Sequence, residues 1–209
     1  MHLLENLKWR YATKKFETEK KVSKQDLDIL KEAIQLTPTS YGLQPFKILI
    51  IKDLETRNKL SSASYNQPQI TTASHLFVFC NYTQLPKNEI ENYIQLTAKT
   101  QHISPNILDD YKQLISNDLN QRNQTEIQNW SKNQNYIAMS NLLNACAELK
   151  IDACPMEGFD NKAYNEVLGL DKLQLNASIL VPIGYRAIHD NSQYREKVRK
   201  GFDQIFINK

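Results

Sequence analysis

Two short cationic patterns stand far apart in the sequence, Arg10-x-x-x-Lys14 and Lys197-x-Arg199. Converging guanidinium and ammonium groups make charge-assisted hydrogen bonds to a phosphate, which is what a protein needs when no glycine-rich helix start receives it. Only five glycines occur in 209 residues, and neither G-x-G-x-x-G nor G-x-x-x-x-G-K-[ST] is present. Taken alone, each cationic pattern is an ordinary solvated run. A third candidate is Cys154-Pro155-Met156-Glu157-Gly158-Phe159. Its proline removes one N–H and its glycine lets backbone approach a ligand closely, so the loop suits a flat molecule. Glu157 reads equally as a general base or as a carboxylate that fixes the loop.

Hydrolytic and metal chemistry find no support. There is no G-x-S-x-G elbow, the four histidines (His2, His75, His102, His189) lack H-x-x-x-H spacing, and Cys80, Cys146 and Cys154 lack a C-x-x-C pair. His75, opening an apolar run, reads as a satisfied structural histidine. The irregular cysteines predict reduced thiols in a cytoplasmic protein. A formal charge of +3, with cations scattered among 23 acidic residues, argues against a nucleic-acid partner. The first residues lack a charged n-region followed by an apolar run. The longest apolar runs, 48–51 and 76–80, are too short to span a bilayer, so no membrane partner is expected.

The element that must position these groups is a helix predicted over 126–149, about 36 Å long and apolar around most of its circumference. It leads into the 154–159 loop. Leu3, Leu4 and Leu7 predict a first helix over 2–9, which delivers Arg10 to Phe16. Ser23 with Asp26 starts a helix that buries Leu27, Leu30, Ala33 and Ile34 and stops at Pro38. A polar loop over 38–45 precedes a strand at 46–52. Asp53 caps a short helix to Leu60, 61–69 is irregular, and 75–82 is a doubly covered strand. Two weakly patterned helices, 87–101 and 105–120, make the 87–125 stretch a candidate mobile lid. A helix at 161–168, a strand at 178–185 and a mixed tail over 194–206 complete one α+β domain over 1–209.

In this order, R-x-x-x-K, P-T-S-x-x-x-Q-P, Asn66 with the later A-S-H, Trp130 on the long helix, P-x-E-G-F-D and K-x-R resemble the FMN-dependent nitroreductase family. The resemblance is to its oxygen-insensitive NAD(P)H branch, which includes dihydropteridine reductase-like members, and only 87–125 lacks a counterpart. It implies a central mixed, mainly antiparallel sheet flanked by helices, in an intertwined homodimer with exchanged C-terminal tails. It further implies that Arg10, Tyr11, Ala12 and Lys14 line the FMN phosphate, ribityl chain and pyrimidine edge, and that Lys197 and Arg199 grip the phosphate. Thr39, Ser40 and Gly42 would come from the second subunit, and Asn66 would bond the pyrimidine side. Pro155, Met156, Glu157 and Gly158 would lie against the other face, with backbone N–H near flavin N5. Lys14 and Gln69 would face nicotinamide or substrate. At Gln69 and Ala12 many members carry a cation and a serine; without the cation, NADPH is gripped less well or preference shifts toward NADH.

The implied activity is ping-pong, two-electron reduction of a small-molecule electron acceptor such as a nitroaromatic, quinone, enone or pterin, with NADH or NADPH as donor. The flavin carries the hydride and Lys14 gives electrostatic support to the reduced ring. Alternatives of the same fold are a non-catalytic flavin store or redox sensor, and an enzyme of dehalogenation or flavin fragmentation.

Overall fold

The computed structural model describes residues 2–209. Its helices are α1 (His2–Trp9), α2 (Lys24–Gln35), α3 (Leu54–Ser61), α4 (Gln69–Thr72), α5 (Glu89–Gln101), α6 (Asp109–Asn120), α7 (Gln124–Glu148), α8 (Asn161–Leu168) and α9 (Phe202–Ile205). The strands are β1 (Phe46–Ile51), β2 (His75–Tyr82), β3 (Asp152–Ala153) and β4 (Leu175–Gly184), in spatial order β1-β2-β4-β3 and antiparallel throughout. The parallel element is a single bridge between Ala12 and Ala153.

Every residue of β2 is buried, because alternate side chains serve two cores. Leu76, Val78 and Cys80 join α3 and α8 residues such as Leu60 and Tyr164 on one face. Phe77 and Phe79 join Leu30, Ile34, Ala138, Leu142 and Cys146 of α2 and α7 on the other.

α7 crosses that second face for 25 residues, started by an Asn123–Glu126 capping box. Its inward face carries Ser131, Gln134 and Asn135 as well as apolar residues, and each of the three side chains bonds elsewhere in the fold, although the Asn135 Oδ1 has no partner. Ser131 Oγ accepts Tyr82 N–H at 2.8 Å and donates to Pro45 O. Gln134 accepts Ser40 N–H at 2.9 Å, and Asn135 donates to Ser178 Oγ at 2.7 Å. The spine helix is therefore a rack of side-chain partners for strand ends and loops, not only an apolar plug.

One expectation needs correction. The 154–159 stretch is not wholly a loop: Cys154 N donates to Pro182 O at 3.1 Å, and Met156 and Leu180 exchange bonds of 2.8 and 3.0 Å, so the chain continues β3 along the edge of β4. α1 buries Asn6 against Glu148 and Lys150 while Leu3, Leu4 and Leu7 face out. The 87–125 stretch packs on the body of the fold: α5 and α6 share a core of Leu43, Ile115, Leu119, Ile127 and Trp130 with the start of α7, and Lys112 pairs with Glu91 at 2.5 Å. Among the described residues no helix is long and apolar enough to cross a membrane.

Candidate active site

The segment after α1 runs along the sheet edge, bridging Ala153 through Ala12 and Arg186 through Phe16. Two carboxylates shape it. Asp152, buried in β3, takes Arg186 Nη2 at 2.6 Å, Nε at 2.9 Å and the Arg186 N–H at 2.8 Å. The Arg186 guanidinium lies over Trp9 at 4.4 Å and Tyr11 at 4.7 Å. Asp190, only 2% exposed, accepts Lys14 N–H at 2.7 Å, Lys15 N–H at 3.3 Å, Tyr11 OH at 3.0 Å and Ser192 N–H at 3.0 Å. Burial pushes this carboxyl up, but the N–H groups of Lys14, Ser192 and Lys15 with the Tyr11 hydroxyl outweigh it, and its pKa falls below the usual range. Burial first, then Asp190, raises the Tyr11 phenol.

This bracing turns Arg10, Tyr11, Ala12 and Lys14 into one wall of a cleft of about 440 Å³, faced by Pro155, Ser192, Arg195 and the 196–199 stretch. The two distant cationic patterns meet there. Burial, and then Arg199, lowers the pKa of Arg10; burial, Arg10 and Arg199 lower that of Lys197. Glu196 lines the cleft, yet among the described residues Arg10, Lys14, Lys197 and Arg199 form no ion pair. Cations that repel one another in a half-enclosed space suit an anion that has yet to arrive. Lys197 also serves the fold, because its ammonium donates to Leu7 O at 2.7 Å, Lys8 O at 3.0 Å and Arg10 O, closing the end of α1.

The remaining predicted residues fall into three places. Pro155 is on the cleft wall; Met156 is buried, and Glu157 and Gly158 are exposed. Glu157 accepts the Tyr136 hydroxyl, and Gln67 donates to Gly158 O at 2.9 Å, tying this edge to the turn that holds Asn66. Asn66 is exposed in a left-handed conformation, φ 54°. Gln69 lies inside, 2% exposed. Its Nε2 is 3.9 Å from Cys154 Sγ, which is 3.9 Å from Lys14 Nζ, and its Oε1 has no partner. Thr39, Ser40 and Gly42 sit on the turn before β1, away from this cleft in their own chain. His75 is buried against Ser74 Oγ at 3.0 Å, its pKa pushed to about 4 by burial and then by Lys52, Arg57, Lys21 and Lys31. Burial raises the thiols of Cys80, to about 12, and of Cys146.

Asp190, Arg186 and Ser192 were not singled out from sequence. The Asp190-x-Ser192 spacing carries the signal, since Asp bonding the N–H two residues on is an Asx-turn. Among the described residues no group of three metal-ligating side chains occurs.

The sequence model described as the nitroreductase family matches residues 7–185. The chain belongs to that family. A relative from Staphylococcus saprophyticus named "Putative NAD(P)H nitroreductase" is 30% identical, covering 97% of this chain and 94% of its own. One of the same name from Staphylococcus epidermidis is 32% identical over the same shares. Among solved structures, the nitroreductase ydfN of Bacillus subtilis aligns over 99% of this chain and 98% of its own, with TM-score 0.86 and 18% identity. A nitroreductase of Exiguobacterium sibiricum, solved in complex with FMN, aligns over 99% and 97% with TM-score 0.84 and 21% identity. At those identities the structures share the nitroreductase fold.

Proposed function

We propose that the protein is an NAD(P)H-dependent FMN oxidoreductase that works as a homodimer and reduces electron-poor acceptors: nitroaromatics, quinones, enones or pterins. The observation that carries this reading is the convergence of Arg10, Lys14, Lys197 and Arg199, without carboxylate partners, in one cleft of a nitroreductase-family chain. The donor set fits a phosphate-bearing cofactor, and the unpartnered Gln69 oxygen lies inward of it behind Cys154 and Lys14. FMN, when bound, supplies the transfer of a hydride from reduced nicotinamide and its delivery to the acceptor. Arg10 and Arg199 would hold the phosphate, with Lys197, whose N–H groups donate to three carbonyls, adding positive charge beside it, and Lys14 would place positive charge at the pyrimidine edge, which would favour the reduced ring. Asn66 would bond the pyrimidine side, and the backbone of Pro155 to Gly158 would form the opposite wall.

No side-chain acid or base is required. Glu157 is exposed and engaged by Tyr136, and His75 is buried on a different part of the sheet. A second copy is needed because Thr39, Ser40 and Gly42 stand off the cleft of their own chain. Surfaces for that copy are present: Leu3, Leu4 and Leu7 of α1 face solvent, and Val198 and Phe202 of the tail are 85% and 84% exposed.

The test is the visible absorption spectrum of the purified protein, followed anaerobically through addition of NADH, then NADPH, then a quinone. Flavin bands that bleach with a donor and return with the quinone are expected. A colourless protein that takes up no FMN would sink the reading; a yellow one that never bleaches would replace it with flavin storage.

A further inference from the structure

The turn between α2 and β1 is strained over a short span. Tyr41 (φ 59°), Gly42 (φ 77°) and Gln44 (φ 46°) all lie in the left-handed region, which only glycine enters without steric cost. Such a residue persists only where its surroundings hold it. From the spine side, Gln134 accepts Ser40 N–H at 2.9 Å, and Thr39 Oγ1 accepts Gln44 N–H at 3.0 Å. From the other side, α6 grips Tyr41 at both ends. The Tyr41 hydroxyl donates to Asp118 at 2.8 Å, and the Tyr41 carbonyl accepts the Tyr111 hydroxyl at 3.1 Å. Asp118 is itself held by Arg122 at 2.7 Å. α5 closes over the turn, since a methyl on Gly42 would overlap the Tyr93 hydroxyl oxygen.

We propose that Tyr41 is a positioning residue that fixes how far the α5–α6 pair stands over the acceptor entrance, and so selects acceptors by size. This rests on the reading that Thr39 to Gly42 borders the partner's flavin. The strained turn and the helical pair meet at Tyr41, Tyr93 and Tyr111, and the Tyr41–Asp118 bond joins them. Between Gly42, Leu43, Tyr93 and Leu96 lies a cleft of about 290 Å³. This cleft, which Gln44, Glu89 and Asn92 also line, is the proposed acceptor entrance; since an apolar cavity of roughly 150 Å³ holds benzene, its size would suit acceptors of one or two rings while the latch is closed.

Tyr41→Phe keeps the ring and removes the bond; Asp118→Ala removes the acceptor, and Asp118→Asn restores an acceptor oxygen. Hydrogen exchange on the flavin-free protein should show amides of 39–44 and 109–120 exchanging about tenfold faster in Tyr41→Phe and Asp118→Ala, and nearer the parent rate in Asp118→Asn. In the flavin-loaded protein, Tyr41→Phe should raise kcat/KM for a three-ring anthraquinone sulfonate by about threefold or more through KM, leaving benzoquinone within about twofold. Unchanged exchange in all three variants overturns the latch. Faster exchange with an unchanged ratio between the quinones overturns its part in acceptor selection. A protein that takes up no flavin defeats the acceptor role with the reading beneath it, and the exchange data then decide the latch alone.

Discussion

Arg10 and Arg186 are both half-buried arginines on the same edge of the sheet, and their surroundings differ completely. Arg186 is ion-paired with Asp152 and lies over the rings of Trp9 and Tyr11. Arg10 has cations for neighbours, and its pKa is lowered by burial and by Arg199. A cation that is matched inside the chain holds the fold together. One left facing other cations lowers stability until an anion binds, so it marks where the ligand goes.

The sharpest way to break that comparison is to remove the unmatched cations. Lys14→Ala combined with Arg199→Ala deletes two charge-assisted contacts of about 2 kcal/mol each, so FMN affinity, read by fluorescence titration, should fall roughly a thousandfold. The flavin-free double variant should melt no lower than its parent. Parent-like flavin affinity would show that these two cations belong with the structural ones. Asp152→Ala tests the matched side: Arg186 is left uncompensated, and urea unfolding should report a loss of about 3 kcal/mol. If stability held, Arg186 would not be the structural member of the pair. Asp190→Asn lies between the two, because Asp190 is structural itself but braces the cleft wall. It should lose about 1 to 2 kcal/mol of stability and also weaken flavin binding; losing only one of the two would separate bracing from binding.

The smallest effect concerns His75, beside four cations, where charge is refused rather than matched. The unfolded histidine takes its proton near pH 6.5, the folded one only near about 4. Unfolding therefore takes up a proton between those values, and stability falls as pH drops through that window. His75→Gln should flatten that part of a melting-temperature profile; an unaltered slope would mean that His75 is not the group responsible.

Most of the fold was legible in the sequence because periodicity reports burial directly. α1, α2, α7 and α8 and strands β1, β2 and β4 fall close to their expected spans. The two-residue β3 was missed because its bonds to β4 are made by backbone atoms, and proline and glycine nearby suggested a loop. Which face of α1 is buried was not read from the sequence, and its apolar stripe has no mate within the chain. Of the candidate site, the cations were visible as residue types, and the nitroreductase resemblance alone linked positions that lie almost the whole chain apart. Asp190 was missed because its Asx-turn spacing marks only the local bond to Ser192, whereas the N–H groups of Lys14 and Lys15 reach it from far upstream. Gln69 was read as facing the ligand, and its burial behind Cys154 depends on how α4 packs.

Lys197 donates to Leu7, Lys8 and Arg10 carbonyls, so the cleft is stitched together from opposite ends of the described fold. During synthesis, a chain extended as far as residue 185 would hold all four strands and both sheet cores, yet could not make this clasp. On the proposed site, flavin loading would wait for chains in which residues 186–199 have emerged and docked, and holoprotein formation on stalled nascent chains of increasing length would report that final step separately from closure of the sheet.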